Sequence, residues 1–389
     1  MTVTLTRVEA VPLSVSFAEI FGGPGNIPPE IARPASHFQA IPRKGQSSTF
    51  VFCEASDGAR GTGESFGLPI PQPVAAFVNR VAAEALVGRA LTEPHAMTAD
   101  LRAFFLALGH SRGPAMEALS GIDIALWDLT ARRVGRPLAE LLGARVKAVP
   151  AYVSPVPFLG TPEESAAAAR RLIKGFGALK LKVGRGARED VPHIAAVREA
   201  VGRDIALMLD ANCGYTLDGA RELLWEIAPL DIRWLEEPLP PEDLEGLAAL
   251  ARLSPIPIAG GENEFTHEGI GRLATQAGLA VLQPNITRIG GISGMLAVDA
   301  FAARTSATIA PHGVGGCIAV AATLHVAAAM ERFDLFEVNR LPNPLRDGLG
   351  RRWSIDANGA IRPPPGDGHG SPVNEDKLHD DARIRAVAQ

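Results

Sequence analysis

From Lys147 onward the chain repeats one unit: a short apolar segment, an amphipathic one, then a polar turn. Eight of the apolar segments read as strands, at about residues 148–153, 178–183, 205–210, 232–236, 256–262, 280–284, 307–311 and 334–337. Their ends recur roughly every 25 residues, the length of a strand plus a crossover helix. Eight parallel strands with intervening helices predict a (β/α) barrel of the α/β class. A doubly wound open sheet is the alternative, but no glycine-rich phosphate turn follows the first strand. Thr161-Pro162-Glu163-Glu164 shows how sharply a unit begins. Thr161 suits an N-cap, Pro162 the first helical position, and Glu164 completes a capping box. Ala169, Leu172, Ile173 and Phe176 then form a stripe suited to packing on a sheet.

The first 140 residues are different. A weakly alternating strand over 3–13 leads into Phe17–Pro42, where glycines and prolines crowd a long loop of the kind that serves as a lid. Residues 48–54 and 59–64 flank Asp57-Gly58 as a hairpin. Helical patterns follow over about 73–87, 94–108 and 114–134, and Asp123 and Asp128 inside the last are expected to be hydrogen-bonded structural acids. After the eighth barrel strand no clear helix follows. Leu341 opens a loop-rich tail with a hairpin at Asn358-Gly359, spanning Trp353 to Ile361, which is expected to return to the N-terminal domain. The expected division is 1–140, 141–340 and 341–389.

Composition narrows the function. With 389 residues, 47% hydrophobic and 21% charged, the chain has material for a large core and two domains. A net charge of -5 points away from nucleic acid and anionic membranes as partners. Cys53, Cys213 and Cys317 are few and far apart, fitting neither a disulfide framework nor a zinc site. There is no signal-peptide pattern, and the longest apolar run, 317–330, is too short to span a bilayer. The expectation is a cytoplasmic protein.

The chemistry gathers at the C-terminal strand ends, where barrels of this kind carry their sites. Alternation in the second strand puts Lys180 and Lys182 on one face, about 6–7 Å apart. Asp210 ends the third strand, Glu236 the fourth and Glu262 the fifth, followed by Asn285, His312 and Glu337. Three converging carboxylates repel one another unless a cation lies among them, and oxygen ligands select a hard ion such as Mg²⁺. Such an ion would stabilise the enolate of a bound carboxylate as its α-proton leaves. Lys182 is placed as the base if burial, Lys180 and the cation lower its pKa, with His312 as a second acid/base opposite. Two such groups permit racemisation or elimination of a β-hydroxyl. Glu237 is expected to point outward by alternation. His110, His193, His267 and His325 read as surface or core residues, and Cys213 and Cys317 as small hydrophobes.

As a set, these motifs resemble the enolase superfamily, in its mandelate racemase subgroup, across essentially the whole chain. They are Lys180-Leu181-Lys182, Leu209-Asp210-Ala211-Asn212, Trp234-Leu235-Glu236-Glu237-Pro238, Gly261-Glu262-Asn263, Arg288-Ile289-Gly290-Gly291, Pro311-His312-Gly313 and Glu337, with Gly121–Asp128 leading to the barrel. The resemblance implies a modified (β/α)7β TIM barrel with an N-terminal α+β capping domain completed by the C-terminal tail. It implies Mg²⁺ on Asp210, Glu236 and Glu262, with Lys182 as base. Lys180 and Glu337 would contact the substrate carboxylate, and Asn212, Asn285 and Arg288 would support substrate binding. It also implies lid loops at about 17–36 and 64–73, a small carboxylate substrate and a homo-oligomer. One departure bears on the reaction. The family pattern has Asp or Lys where this chain has Asn285, and a neutral Asn that accepts from the imidazole cannot stabilise imidazolium. That favours Lys182 as base and His312 as acid, hence dehydration of a sugar acid. Racemisation or epimerisation is the alternative, with a cycloisomerase or a non-catalytic barrel behind it.

Overall fold

A computed structural model describes residues 2–351, 353–373, 378 and 385–386. Two sheets organise it. The first is antiparallel, built from β1 (Leu5–Ser16), β2 (Gly45–Ala55) and β3 (Arg60–Phe66). Helix Pro114–Arg133 lies across it so closely that Gly61, Gly63 and Gly121 have no room for a Cβ. The glycines set the distance of approach; bulkier residues would push the helix off the sheet.

The second sheet runs through β4 (Val149–Val156), β5 (Ala178–Lys182), β6 (Ala206–Asp210), β7 (Ile232–Glu236), β8 (Ile258–Gly260), β9 (Val281–Leu282), β10 (Thr308–Ile309) and β11 (Phe336–Asn339). All neighbours are parallel, in the order β10-β9-β8-β7-β6-β5-β4-β11, and an Ile309–Phe333 bridge brings the two ends together. This is the barrel read from the sequence, with β8, β9 and β10 shorter than expected. β8 stops at Gly260 because Gly261 takes φ +126°, a turn reserved for glycine, which redirects Glu262 into the mouth. Tyr152, Met208, Trp234 and Val281 fill the barrel interior beneath the mouth. The outward side chains of the strands join the surrounding helices in the larger core. The capping box at Thr161 forms as expected, its hydroxyl accepting from Glu164 N–H at 3.2 Å.

The tail makes two stops. Ala360–Ile361 (β12) pairs antiparallel with β4 at the barrel. The chain then reaches the first domain, where buried His369 meets Thr62 and Asp128, and Arg385–Ala386 (β13) pairs with β1. Asp128 is the structural acid expected: it accepts from the N–H groups of Thr62 and His369, both at 2.9 Å, and from Arg132 Nε at 2.8 Å. Asp123 accepts from Ser293 N–H at 2.9 Å.

Candidate active site

Register brings the site together. Lys182 pairs with Asp210 across β5 and β6, and Asp210 with Glu236 across β6 and β7. One inward-facing layer therefore holds all three. Above it lies a cavity of about 780 Å³ between barrel and capping domain. The barrel lends it Lys182, Asp210, Asn212, Glu262, Arg288, His312 and Glu337. The roof comes from segments 30–47 and 66–70, so the glycine- and proline-rich loop does cover the mouth, folded into short helical turns. His37 ties it down, with Nε2 2.9 Å from Cys213 O.

Lys180 and Glu236 are not among the lining residues. Lys180 is buried beneath the cavity, its Nζ 2.7 and 2.8 Å from the two Glu236 oxygens and 3.2 Å from Glu337. Burial opposes its charge, but Glu236, Glu337 and their neighbours win and hold its pKa well above the ordinary lysine value. Glu236 also accepts from Gln283 Nε2, yet burial and the nearby Asp210 outweigh Lys180 and lift it to about 8. Glu337 goes the other way, to about 2: its burial is overcome by Lys180, His312 and the Gly313 N–H that donates at 2.7 Å.

Lys182 Nζ donates to Asp210 Oδ2 and to Asn212 Oδ1, both at 2.6 Å. The left-handed turn at Asn212 (φ 43°) and Cys213 (φ 59°) accompanies the placement of the amide oxygen there. The expected lowering of the Lys182 pKa is not what this geometry gives. Burial and Lys180 pull it down, but Asp210 and Glu262 raise it more. Asp210 falls correspondingly to about 2; the two lysines overcome its burial.

Glu237 corrects a second expectation. It does not point outward. Its φ of +39° breaks the strand alternation, and the buried carboxylate turns to the cavity, held by Asn263 Nδ2 at 3.0 Å. Burial and the charges of Glu262, Asp210 and Glu236 raise its pKa well above the usual range. The available signal was its place between the strand end and Pro238, where alternation ceases to guide. Gln283 and Asn263 were likewise given no role from sequence.

His312 joins Glu262 to Asn285. Its Nε2 is 3.1 Å from Glu262 Oε2 and its Nδ1 2.9 Å from Asn285 Nδ2. Asn285 was expected to accept from the ring; it donates instead. Its Oδ1 is already taken by the N–H and hydroxyl of Thr287, at 2.9 and 2.6 Å. Nδ1 of the ring therefore accepts, and the proton of the neutral ring sits on Nε2. Burial keeps the ring from charging more than Glu262 and Glu337 favour it. Arg288 is a seam residue as well as a lining one. It pairs with Glu117 of the capping domain at 3.2 Å, donates to Asn263 Oδ1 at 2.8 Å and stacks 3.7 Å over Phe66.

The donor set suits a hard divalent cation. Asp210, Glu236, Glu237 and Glu262 offer only oxygen, and the raised values at Glu236 and Glu237 reflect first their burial and then their acidic neighbours. Among the described residues no three acid, His or Cys side chains are already gathered tightly enough to hold one ion, since the two lysines and His312 engage the same carboxylates.

A capped barrel with two lysines on its second strand and acids ending the next three is the architecture of an enolase-type protein. The chain belongs to the enolase superfamily, in the mandelate racemase subgroup. Residues 29–143 match the family described as mandelate racemase / muconate lactonizing enzyme, N-terminal domain, and residues 164–377 the enolase C-terminal domain-like family. The D-galactarolactone cycloisomerase of Agrobacterium fabrum is 34% identical over 86% of this chain and 90% of its own. The L-talarate/galactarate dehydratase of Salmonella typhimurium is 37% identical over 64% of this chain and 63% of its own. A racemase from Streptomyces coelicolor A3(2), solved with bound magnesium, superposes with a TM-score of 0.85 at 28% identity, covering 97% and 99% of the two chains.

Proposed function

We propose that the protein is a Mg²⁺-dependent acid-sugar dehydratase, which removes the α-proton of a hydroxy carboxylic acid and expels the β-hydroxyl as water. The observation that carries the reading is the asymmetry of the two proton-handling groups. Lys182 lines the cavity with its Nζ held by Asp210 and Asn212, while His312 is held by Asn285 with Nε2–H as a donor. Relatives that are acid-sugar dehydratases and cycloisomerases support the substrate class.

Mg²⁺ on Asp210, Glu236 and Glu262 would offset their charge and draw electrons from a substrate carboxylate, acidifying the adjacent C–H. Lys182 takes the α-proton as the neutral amine, a form that a cation held by Asp210 would favour by offsetting the charge that lifts the Lys182 pKa. The Cα–H electron pair forms the Cα=Cβ bond as the Cβ–O bond breaks. His312 hydrogen-bonds the departing oxygen through Nε2–H, and the oxygen leaves as water with a proton that solvent supplies through this contact, the ring staying neutral. The resulting enol ketonises to a 2-keto-3-deoxy acid. Asn212 and Arg288, which line the cavity, orient the substrate, while Lys180 lies beneath the floor on Glu236 and Glu337 and supports the site from below without reaching the carboxylate. A single donor on the far face favours elimination over two-base racemisation.

Cycloisomerisation is a second reading, favoured by the relative aligned over 86% of this chain. It starts at the same α-carbon; if the β-oxygen belongs to a lactone or anhydro ring, the same elimination opens the ring without loss of water. Incubating acid sugars and their lactones with the protein and Mg²⁺ in D₂O, followed by mass spectrometry, separates the readings. Dehydration gives a keto product lighter by one water, cycloisomerisation a keto product that has lost no water, and epimerisation a deuterated isomer with no keto group. Lys182→Ala is expected to lower α-exchange by roughly 10²–10⁴-fold, and a chelator to abolish it. A Lys182→Ala protein as active as the parent would sink the base assignment.

A further inference from the structure

The roof of the cavity carries a cation that the chemistry above leaves unused. Arg43 stands just before β2 and lines the cavity beside Lys44, its backbone N–H bonded to Ala32 O at 2.8 Å. The guanidinium is withdrawn from water far enough to depress its pKa, with Glu262 pulling the other way. Its side-chain contacts are Gln46 Oε1 at 3.3 Å and the Phe17 ring, 5.7 Å from its Cζ. Among the described residues no carboxylate lies within ion-pairing distance of it. The cations of the barrel wall differ: Arg288 is paired with Glu117 and Lys182 with Asp210. Glu30 is the acid the lid adds to the lining, and Arg43 and Lys44 together outweigh it.

A half-buried guanidinium without a counter-charge is a ready anion site, and its planar fork matches a carboxylate bidentately. The reacting end of the substrate belongs at the floor, among Lys182, Glu337 and the acids. Arg43 comes from the capping-domain segment that roofs the cavity. We infer that Arg43, aided by Lys44, binds a second carboxylate at the far end of the substrate, so that the preferred substrates are sugar diacids. This rests on the acid-sugar reading and narrows it.

The test compares matched pairs that differ at one end, such as galactarate with D-galactonate and glucarate with D-gluconate. Binding to the Mg²⁺-loaded protein is read from ligand-dependent shifts of the melting midpoint, and KM from turnover. For the best pair the parent is expected to favour the diacid by roughly 10- to 100-fold, the worth of a charge-assisted hydrogen-bonded contact. Arg43→Gln should erase most of that ratio, and Arg43→Lys should retain part of it. A parent that binds the monoacids as tightly overturns the inference without any variant and leaves the acid-sugar reading standing. An Arg43→Gln protein with the parent's ratio also overturns it. Failure of both series to bind overturns both readings together.

Discussion

Thr287 donates twice to Asn285 Oδ1, so the amide nitrogen is the group left to face His312 Nδ1. A carboxylate at residue 285 would reverse this. It could accept from Thr287 through one oxygen and from an Nδ1–H through the other, freeing Nε2 to take a proton and steadying the imidazolium. Asn285→Asp is therefore expected to open a second route for α-exchange, from the His312 face. NMR of substrate recovered from D₂O should show at least roughly tenfold more C2-epimer than the parent leaves. Exchange confined to one face, as in the parent, would refute the donor assignment. The identity of residue 285 was plain in the sequence, and so was its pairing with His312. The direction of the bond was not, because it is set by Thr287, two residues away and outside any strand alternation. Glu237 escaped for a related reason: period-2 reasoning holds only while the backbone stays extended, and at φ +39° it does not.

The barrel strands and the Thr161 cap were legible because each rests on local pattern: alternation, capping chemistry and glycine or proline stops. The join between the two domains rests on pairs far apart in the chain. Glu64 of β3 is the clearest case. Its fully buried carboxylate accepts from the N–H groups of Gly316 and Ala319, at the start of helix Cys317–Ala329, and from the Ser48 hydroxyl. The helix N-terminus of the barrel is thus capped by an acid of the other domain. Nothing near residue 316 in sequence announces it. Glu64→Ala would leave two buried N–H groups without partners and open a cavity beside Gly315 and Gly316. The expected cost is about 3 kcal/mol, read as a lower urea midpoint. A change below about 0.5 kcal/mol would mean the two domains dock without it.

At the scale of the whole molecule, the capping domain and barrel meet along helix Pro114–Arg133, where Glu117 and Asp123 face the turn at residues 288–293. Asp123 is the deeper of the two. Burial raises its pKa from 3.8 to about 7, against the bonds it accepts from Ser293, and its Oδ2 has no hydrogen-bond partner. Glu117, desolvated at the same seam, rises to about 7 despite Arg288. For both, the folded protein holds a proton between pH 4 and 7 that the unfolded chain has already released. Folding stability therefore falls as pH rises through that window, the reverse of an acid stabilised by a salt bridge. Asp123→Asn keeps an oxygen for Ser293 N–H and removes the ionisation. Between pH 4 and 8 the parent is expected to lose on the order of a few kcal/mol that the variant keeps. Urea midpoints measured across that range for the two proteins provide the comparison. Converging curves toward pH 4 and a widening advantage for Asp123→Asn above pH 6 are expected. Parallel curves would mean that Asp123 is ionised in the folded protein throughout, and that the seam carries a buried charge compensated by groups other than Ser293.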